Sequence, residues 1–173
     1  MTSRTAPRIL LAALVVAAGG FSASAALAQK LAKGDESLIK DIAQANMAEV
    51  ETGKLALDKS SNADVKKFAQ MMVDDHSKAL TDVQTLASSK GVTLPDGPDV
   101  KHKAVMVEFK ALKGDTFDKR YVKQAGVGDH EATEKLLKKT RANAKDADLK
   151  GLADKMLPVV EGHLAQARSM ANM

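Results

Sequence analysis

Apolar residues recur every three to four positions along four long stretches of this chain, the period that gathers them on one face of a helix. The first stretch, about Glu36 to Ser60, sets Leu38, Ile42, Ala45, Gly53 and Ala56 along one stripe. The second starts at Asn62, a residue type suited to capping, and runs through Val65, Phe68, Ala69, Met72, Ala79, Val83 and Leu86 to Gly91. The third begins near Asp115 with Phe117, Tyr121 and Ala125 and ends around Asn143. The fourth, about Asp146 to Met170, aligns Leu149, Leu152, Ala153, Met156, Val160, Leu164 and Ala167. At about 25 residues each, four such helices are nearly 40 Å long and match one another. Between the second and third, Val92 to Gly114 opens with Pro95, Gly97 and Pro98. That connection is too long for a tight hairpin and is predicted to hold a short helix from about Asp99 to Lys113. A hairpin, a long connection and a second hairpin predict an all-α fold, an antiparallel four-helix bundle with one long crossover containing a short extra helix.

A weak internal repeat supports two related hairpins. Ala63-Asp64-Val65-Lys66 with Phe68-Ala69 and Met72 matches Ala147-Asp148-Leu149-Lys150 with Leu152-Ala153 and Met156 at the same spacing. Aligning Lys54-Leu55 with Lys135-Leu136 places Glu49 opposite His130, although the register then drifts by about one turn.

Composition fits this picture. Of 173 residues, 45% are hydrophobic and only 3% aromatic, so one domain with a core of Ala, Val, Leu and Met is expected. Ahead of it, Arg4 and Arg8 form a basic region, Ile9 to Ala18 an apolar run and Ala26-Leu27-Ala28 a small-x-small cleavage site. Residues 1–28 are therefore read as a cleavable signal peptide and 29–173 as the helical domain, exported across the inner membrane to the periplasm. Retention of Ile9 to Ala28 as a membrane anchor is the alternative, but Gly19, Gly20 and interspersed Ser and Ala dilute its apolarity. Without Arg4 and Arg8, 24 basic residues face 22 acidic ones. So small an excess, with no basic stripe or stacking aromatics, argues against nucleic-acid binding. Cysteine is absent, which excludes disulfides and a lipid-modified N-terminal Cys.

Each long helix carries one potential metal ligand near its midpoint: Glu49, His76, His130 and His163. Midpoints of equal antiparallel rods meet at one level, so these four side chains could converge inside the bundle. His130 conflicts with strict periodicity. On a regular helix drawn from Phe117 and Tyr121 it points roughly 140° from the apolar centre, with Asp129 nearer. Gly126 and Gly128 precede it, however, and one extra residue absorbed as a π-bulge would turn the following residues by about 100°. His130, Thr133, Leu136 and Leu137 would then share the inward face. Pro158, about one turn before His163, is expected to kink the last helix.

Several runs resemble a known family: Phe68-Ala69-x-x-Met72-Val73-x-Asp75-His76, Phe117-Asp118-x-x-Tyr121-Val122, the Asp129-His130 pair, and Leu157-Pro158 followed by His163. Together, over about Glu36 to Met170, they are similar to a secreted bacterial ferritin-like family, DUF4142, often labelled predicted outer membrane protein. The resemblance implies a ferritin-like helical bundle and no established activity. Period-two strands separated by turns are absent, so no transmembrane barrel is expected; peripheral envelope association or a homo-oligomer remains open.

Ferritin-like di-iron sites need bridging carboxylates and Glu-x-x-His pairs, whereas the residue three before His76 is Val73 and three before His163 is Val160. Two-iron oxidase chemistry is therefore disfavoured. One Glu and up to three His suit a single zinc, copper or iron ion, with Asp75 and Asp129 as hydrogen-bond partners of the ligands. The bland alternative is a buried polar network linking helices without a metal. His102, between Lys101 and Lys103, is read as a solvated crossover residue. No nucleophile with a paired base, phosphate-cradling loop or dinucleotide fingerprint is apparent, so catalysis is not supported. Two functional classes follow. One is a non-catalytic periplasmic protein of envelope maintenance, stress protection or partner binding. The other is a metal-binding or metal-dependent redox protein.

Overall fold

A computed structural model of the chain describes residues 31–172; the segment read above as a signal peptide with its cleavage site lies outside them. The fold is all-helical. Its elements are α1 (Lys33–Lys59), α2 (Ala63–Ser89), α3 (Val100–Ala111), α4 (Gly114–Tyr121), a π-helical segment (Val122–Asp129), α5 (His130–Asn143) and α6 (Ala147–Ala171). The stretch α4, π segment and α5 is the third long helix expected from the sequence, continuous but wound differently in its middle.

The helix starts are chemically marked. Asn62 Oδ1 accepts from the backbone N–H of Asp64 and Val65 at the start of α2. Asp99 does the same for His102 at α3, and Asp146 for Leu149 at α6. Asp35, buried near the start of α1, accepts from the N–H groups of Lys145 and Asp146 and so ties that helix to the α5–α6 turn. Pro158 lies inside α6, which continues through it.

Contacts between named residues give the arrangement. Gly53 lies against Ala69, Met72 and Val73, and Asn46 against His76, so α1 and α2 run antiparallel. Lys138 with Glu161, and Arg168 with Glu131, show the same for α5 and α6. Lys155 with Asp82 and Lys90 with Asp146 join α6 to α2; Asp35 with Lys145 and Glu49 with His130 join α1 to α5. The cyclic order is thus α1, α2, α6, α5, each rod antiparallel to its neighbours.

Two apolar clusters fill the interior. One contains Ile39, Ile42, Val83, Leu137, Leu149 and Val160; the other contains Phe68, Met72, Phe109, Phe117, Tyr121 and Ala167. Each fully buried large side chain stabilises by roughly 1.5–3 kcal/mol. On every rod the two clusters are separated by polar positions: Asn46 and Glu49 on α1, His76 on α2, His130 at the start of α5 and His163 on α6, all buried. The crossover helix α3 contributes Phe109, which packs edge-on against Phe117 and Tyr121 with centroids 5.9 and 6.2 Å apart.

Two glycines let the rods approach this closely. A Cβ on Gly53 would lie 2.9 Å from Val73 Cγ2 and 3.1 Å from the Ala69 carbonyl oxygen. One on Gly126 would lie 2.9 Å from Ala167 Cβ, so the π segment packs on α6 at a distance that excludes a side chain.

Asp35→Ala removes the acceptor for two backbone donors at the α5–α6 turn and is expected to lower the unfolding free energy by about 1–3 kcal/mol. Asp58→Ala, on an exposed position, should change it by less than about 0.5 kcal/mol, both read by urea unfolding.

Candidate metal centre

The π segment decides the site. Its winding shifts the phase of everything after it, and the structure places His130 inward, 1% exposed, beside His76 at 3% and His163 at 4%. The distortion anticipated from Gly126 and Gly128 is present, but it spans eight residues, Val122–Asp129, rather than a single bulge.

The three imidazoles form a nearly equilateral triangle. Their centroids are 5.4 Å apart for His76 and His130, 5.3 Å for His76 and His163, and 5.4 Å for His130 and His163. One ring nitrogen from each lies within 4.8 Å of the other two. The hydrogen bonds on the outer edges of the rings show which nitrogens are left for the interior.

His130 Nδ1 is 2.8 Å from the carbonyl oxygen of Ala125, an atom that only accepts, so Nδ1 carries the proton and Nε2 a lone pair. Asn46 donates from Nδ2 to the Ile42 carbonyl at 2.7 Å, which orients its amide and turns Oδ1 to His76. His76 Nδ1, 2.9 Å from that oxygen, is therefore the donor, and its Nε2 is bare. His163 donates from Nε2 to Asp75 Oδ2 at 2.9 Å, leaving Nδ1 buried without a hydrogen-bond partner. Three outer edges donate, and in neutral rings that leaves the lone pairs on the inner edges. His76 Nε2 and His130 Nε2 stand 3.4 Å apart with no proton assigned between them.

Burial keeps the His76 and His130 rings neutral. It pushes the His76 pKa well below the usual histidine value, and the neighbouring His130 and His163 push it further. Burial likewise lowers that of His130 to about 4, against the opposing effect of the Ala125 hydrogen bond. Neutral imidazole is the ligand form for a transition metal. Nitrogens bound about 2.0 Å from a common centre in a trigonal plane sit roughly 3.5 Å apart, with ring centroids roughly 5.4 Å apart. The three centroid separations and the 3.4 Å between His76 Nε2 and His130 Nε2 match that geometry, and the unpartnered His163 Nδ1 is the kind of buried atom a cation would satisfy.

The other expected residues are placed differently. Glu49 is buried but stands outside the trio: its Oε1 is 3.5 Å from His130 Nδ1, on the ring edge facing away from His76, and its Oε2 has no hydrogen-bond partner. Burial first, and Asp129 second, raise its pKa well above the ordinary carboxylate value, which favours the neutral acid. Asp75 does hold a trio histidine. Asp129 does not: it accepts from Gln124 Nε2 at 3.0 Å and Lys101 Nζ at 3.3 Å. His102 is not solvated; its ring packs between Asp99 at 2.9 Å and Asp129 at 3.7 Å because α3 lies over the π segment. Asn46 and the Ala125 carbonyl were not foreseen. A polar Asn at a buried position three residues before Glu49 was a legible signal for the first; nothing in the sequence marks a particular carbonyl.

Among the described residues no helix is long and apolar enough to cross a membrane. Fold and site together define an all-helical protein with a buried, converging three-histidine cluster. The family model for the Domain of unknown function (DUF4142) matches residues 20–170, and the chain belongs to that family. No curated protein sequence matches it. Among solved structures it is similar to those described as CopM in the Cu(II)-bound form and CopM in the Cu(I)-bound form, with TM-scores of 0.67 and 0.66 at 14% identity. It is also similar to CopM in the Ag-bound form (by co-crystallization), with a TM-score of 0.64 at 15% identity. Each covers 80% of this chain and 95% of the solved one. At such identities the likeness is one of fold.

Long-range 15N–1H spectra of the metal-free protein at neutral pH are expected to report His76 and His130 as Nδ1–H tautomers and His163 as Nε2–H. An Nε2–H signal for His130 would contradict the assignment.

Proposed function

We propose that this protein is a non-catalytic, exported metal-binding protein in which His76 Nε2, His130 Nε2 and His163 Nδ1 hold one copper-class ion at the centre of a ferritin-like four-helix bundle. The observation that carries the reading is the convergence of three lone pairs, each backed by a hydrogen bond on the far edge of its ring. A purely structural network is the weaker account, because a network selected for helix linkage would pair the inner nitrogens, whereas His163 Nδ1 has no partner.

The donor set narrows the cargo. Three nitrogens and no carboxylate inside the triangle leave the ion without a directly bound anion in a buried site, which costs more for a dication than a monocation. Imidazole donors suit copper, and a three-coordinate nitrogen site suits its monovalent form or silver(I). The CopM structures, described as holding copper or silver on a similar fold, support the same choice. The role follows from binding alone: sequestration or carriage of the ion in the periplasm, with the leader directing export.

Titration of the purified protein with copper(I) against a competing chelator is expected to give one ion per chain, with that binding lost in His76→Ala, His163→Ala, while circular dichroism stays helical. Unchanged stoichiometry and affinity in the double variant would reject the site. Asp75→Asn weakens the acceptor that orients His163 and is expected to reduce affinity by about 10- to 100-fold.

A further inference from the structure

The trio is enclosed on two sides and open on one. Behind His76 stands Asn46, and behind His130 stand Ala125 and Phe68, all within 1% of complete burial. Between α2 and α6, by contrast, a cavity of about 120 Å³ reaches from the surface to His76 and His163, with Ala79, Met156 and Val160 along its wall. That volume has room for several water molecules. At its mouth Asp75, 45% exposed, holds His163 Nε2, and an Asp82–Lys155 ion pair of 2.6 Å spans the two helices. Lys78 and Val159 complete the rim.

Resting on the metal-binding reading, we propose that this α2–α6 cleft is the exchange port of the site: the ion enters and leaves between Asp75 at the mouth and the Met156 thioether in the wall. Each part has a chemical reason. A half-exposed carboxylate attracts a hydrated cation and tolerates partial dehydration. A buried thioether beyond it offers a soft, uncharged donor to copper(I) or silver(I). His163 is the first ring that an entering ion meets, since it is shared by the mouth, through Asp75, and by the triangle, through Nδ1. His130 is absent from the cavity lining and is reached last. A site with a built route of this kind exchanges its ion, as a carrier does. A structural metal is sealed on all sides.

The test separates rate from affinity. Copper(I)-loaded protein is mixed rapidly with excess bicinchoninate, and loading of the metal-free protein is followed in the reverse experiment. Ala79→Phe fills the cavity without removing a ligand, and Val159→Trp lays a large ring over its half-exposed rim. Both are expected to slow release and uptake together by about tenfold or more, leaving the equilibrium affinity within about threefold of the parent. Val159→Trp alone decides the matter should the filled variant fail to fold. Folded variants that exchange at the parent rate, or that release faster because affinity has fallen, overturn the port. Failure of the metal reading looks different: the parent protein itself then takes up no copper(I), and no exchange rate exists to compare.

Discussion

Three hydrogen bonds that point away from the centre govern everything at the centre. A backbone carbonyl, an amide oxygen and a carboxylate each accept from the outer edge of one histidine ring, and in doing so turn the inner edges toward one another. In a low-dielectric interior such convergence is electrostatically unfavourable unless a cation or a proton lies within it. The two apolar clusters above and below hold the rods in register while the polar belt carries that tension. Close approach at Gly53 and Gly126 limits how far the helices can spread to relieve it.

The π segment is the local departure from regularity on which the geometry rests. It delivers His130 to the interior and also leaves the Ala125 carbonyl, five residues earlier, where the same histidine can donate to it. Winding and orientation are thus produced by one distortion. Burial of the nearby Glu49, unpartnered at Oε2, and then its neighbour Asp129 raise its pKa well above the ordinary carboxylate value and so disfavour its charged form there.

The architecture was legible because its determinants are local and periodic. Asn62 caps the helix it was expected to start, the proline-rich connection carries its short helix, and glycines at 126 and 128 foretold a phase shift before His130. The site was legible only in its three converging histidines. Equal spacing along rods gives height, so Glu49 was grouped with the histidines; it does not give the side of the axis, and Glu49 lies beyond His130 rather than among the three. Adjacency in sequence was an equally poor guide for the aspartates. Asp75 sits next to His76 yet serves His163, and Asp129 precedes His130 yet faces Lys101 and Gln124. His102 was misplaced because charged neighbours suggested solvent, while the docking of α3 over the π segment could not be read from either.

X-ray absorption at the copper edge of the singly loaded protein tests the central claim most directly. The account predicts three nitrogen scatterers at about 2.0 Å with the multiple-scattering pattern of three imidazoles. A spectrum dominated by sulfur or carboxylate oxygen, or one requiring fewer than two imidazoles, would contradict it.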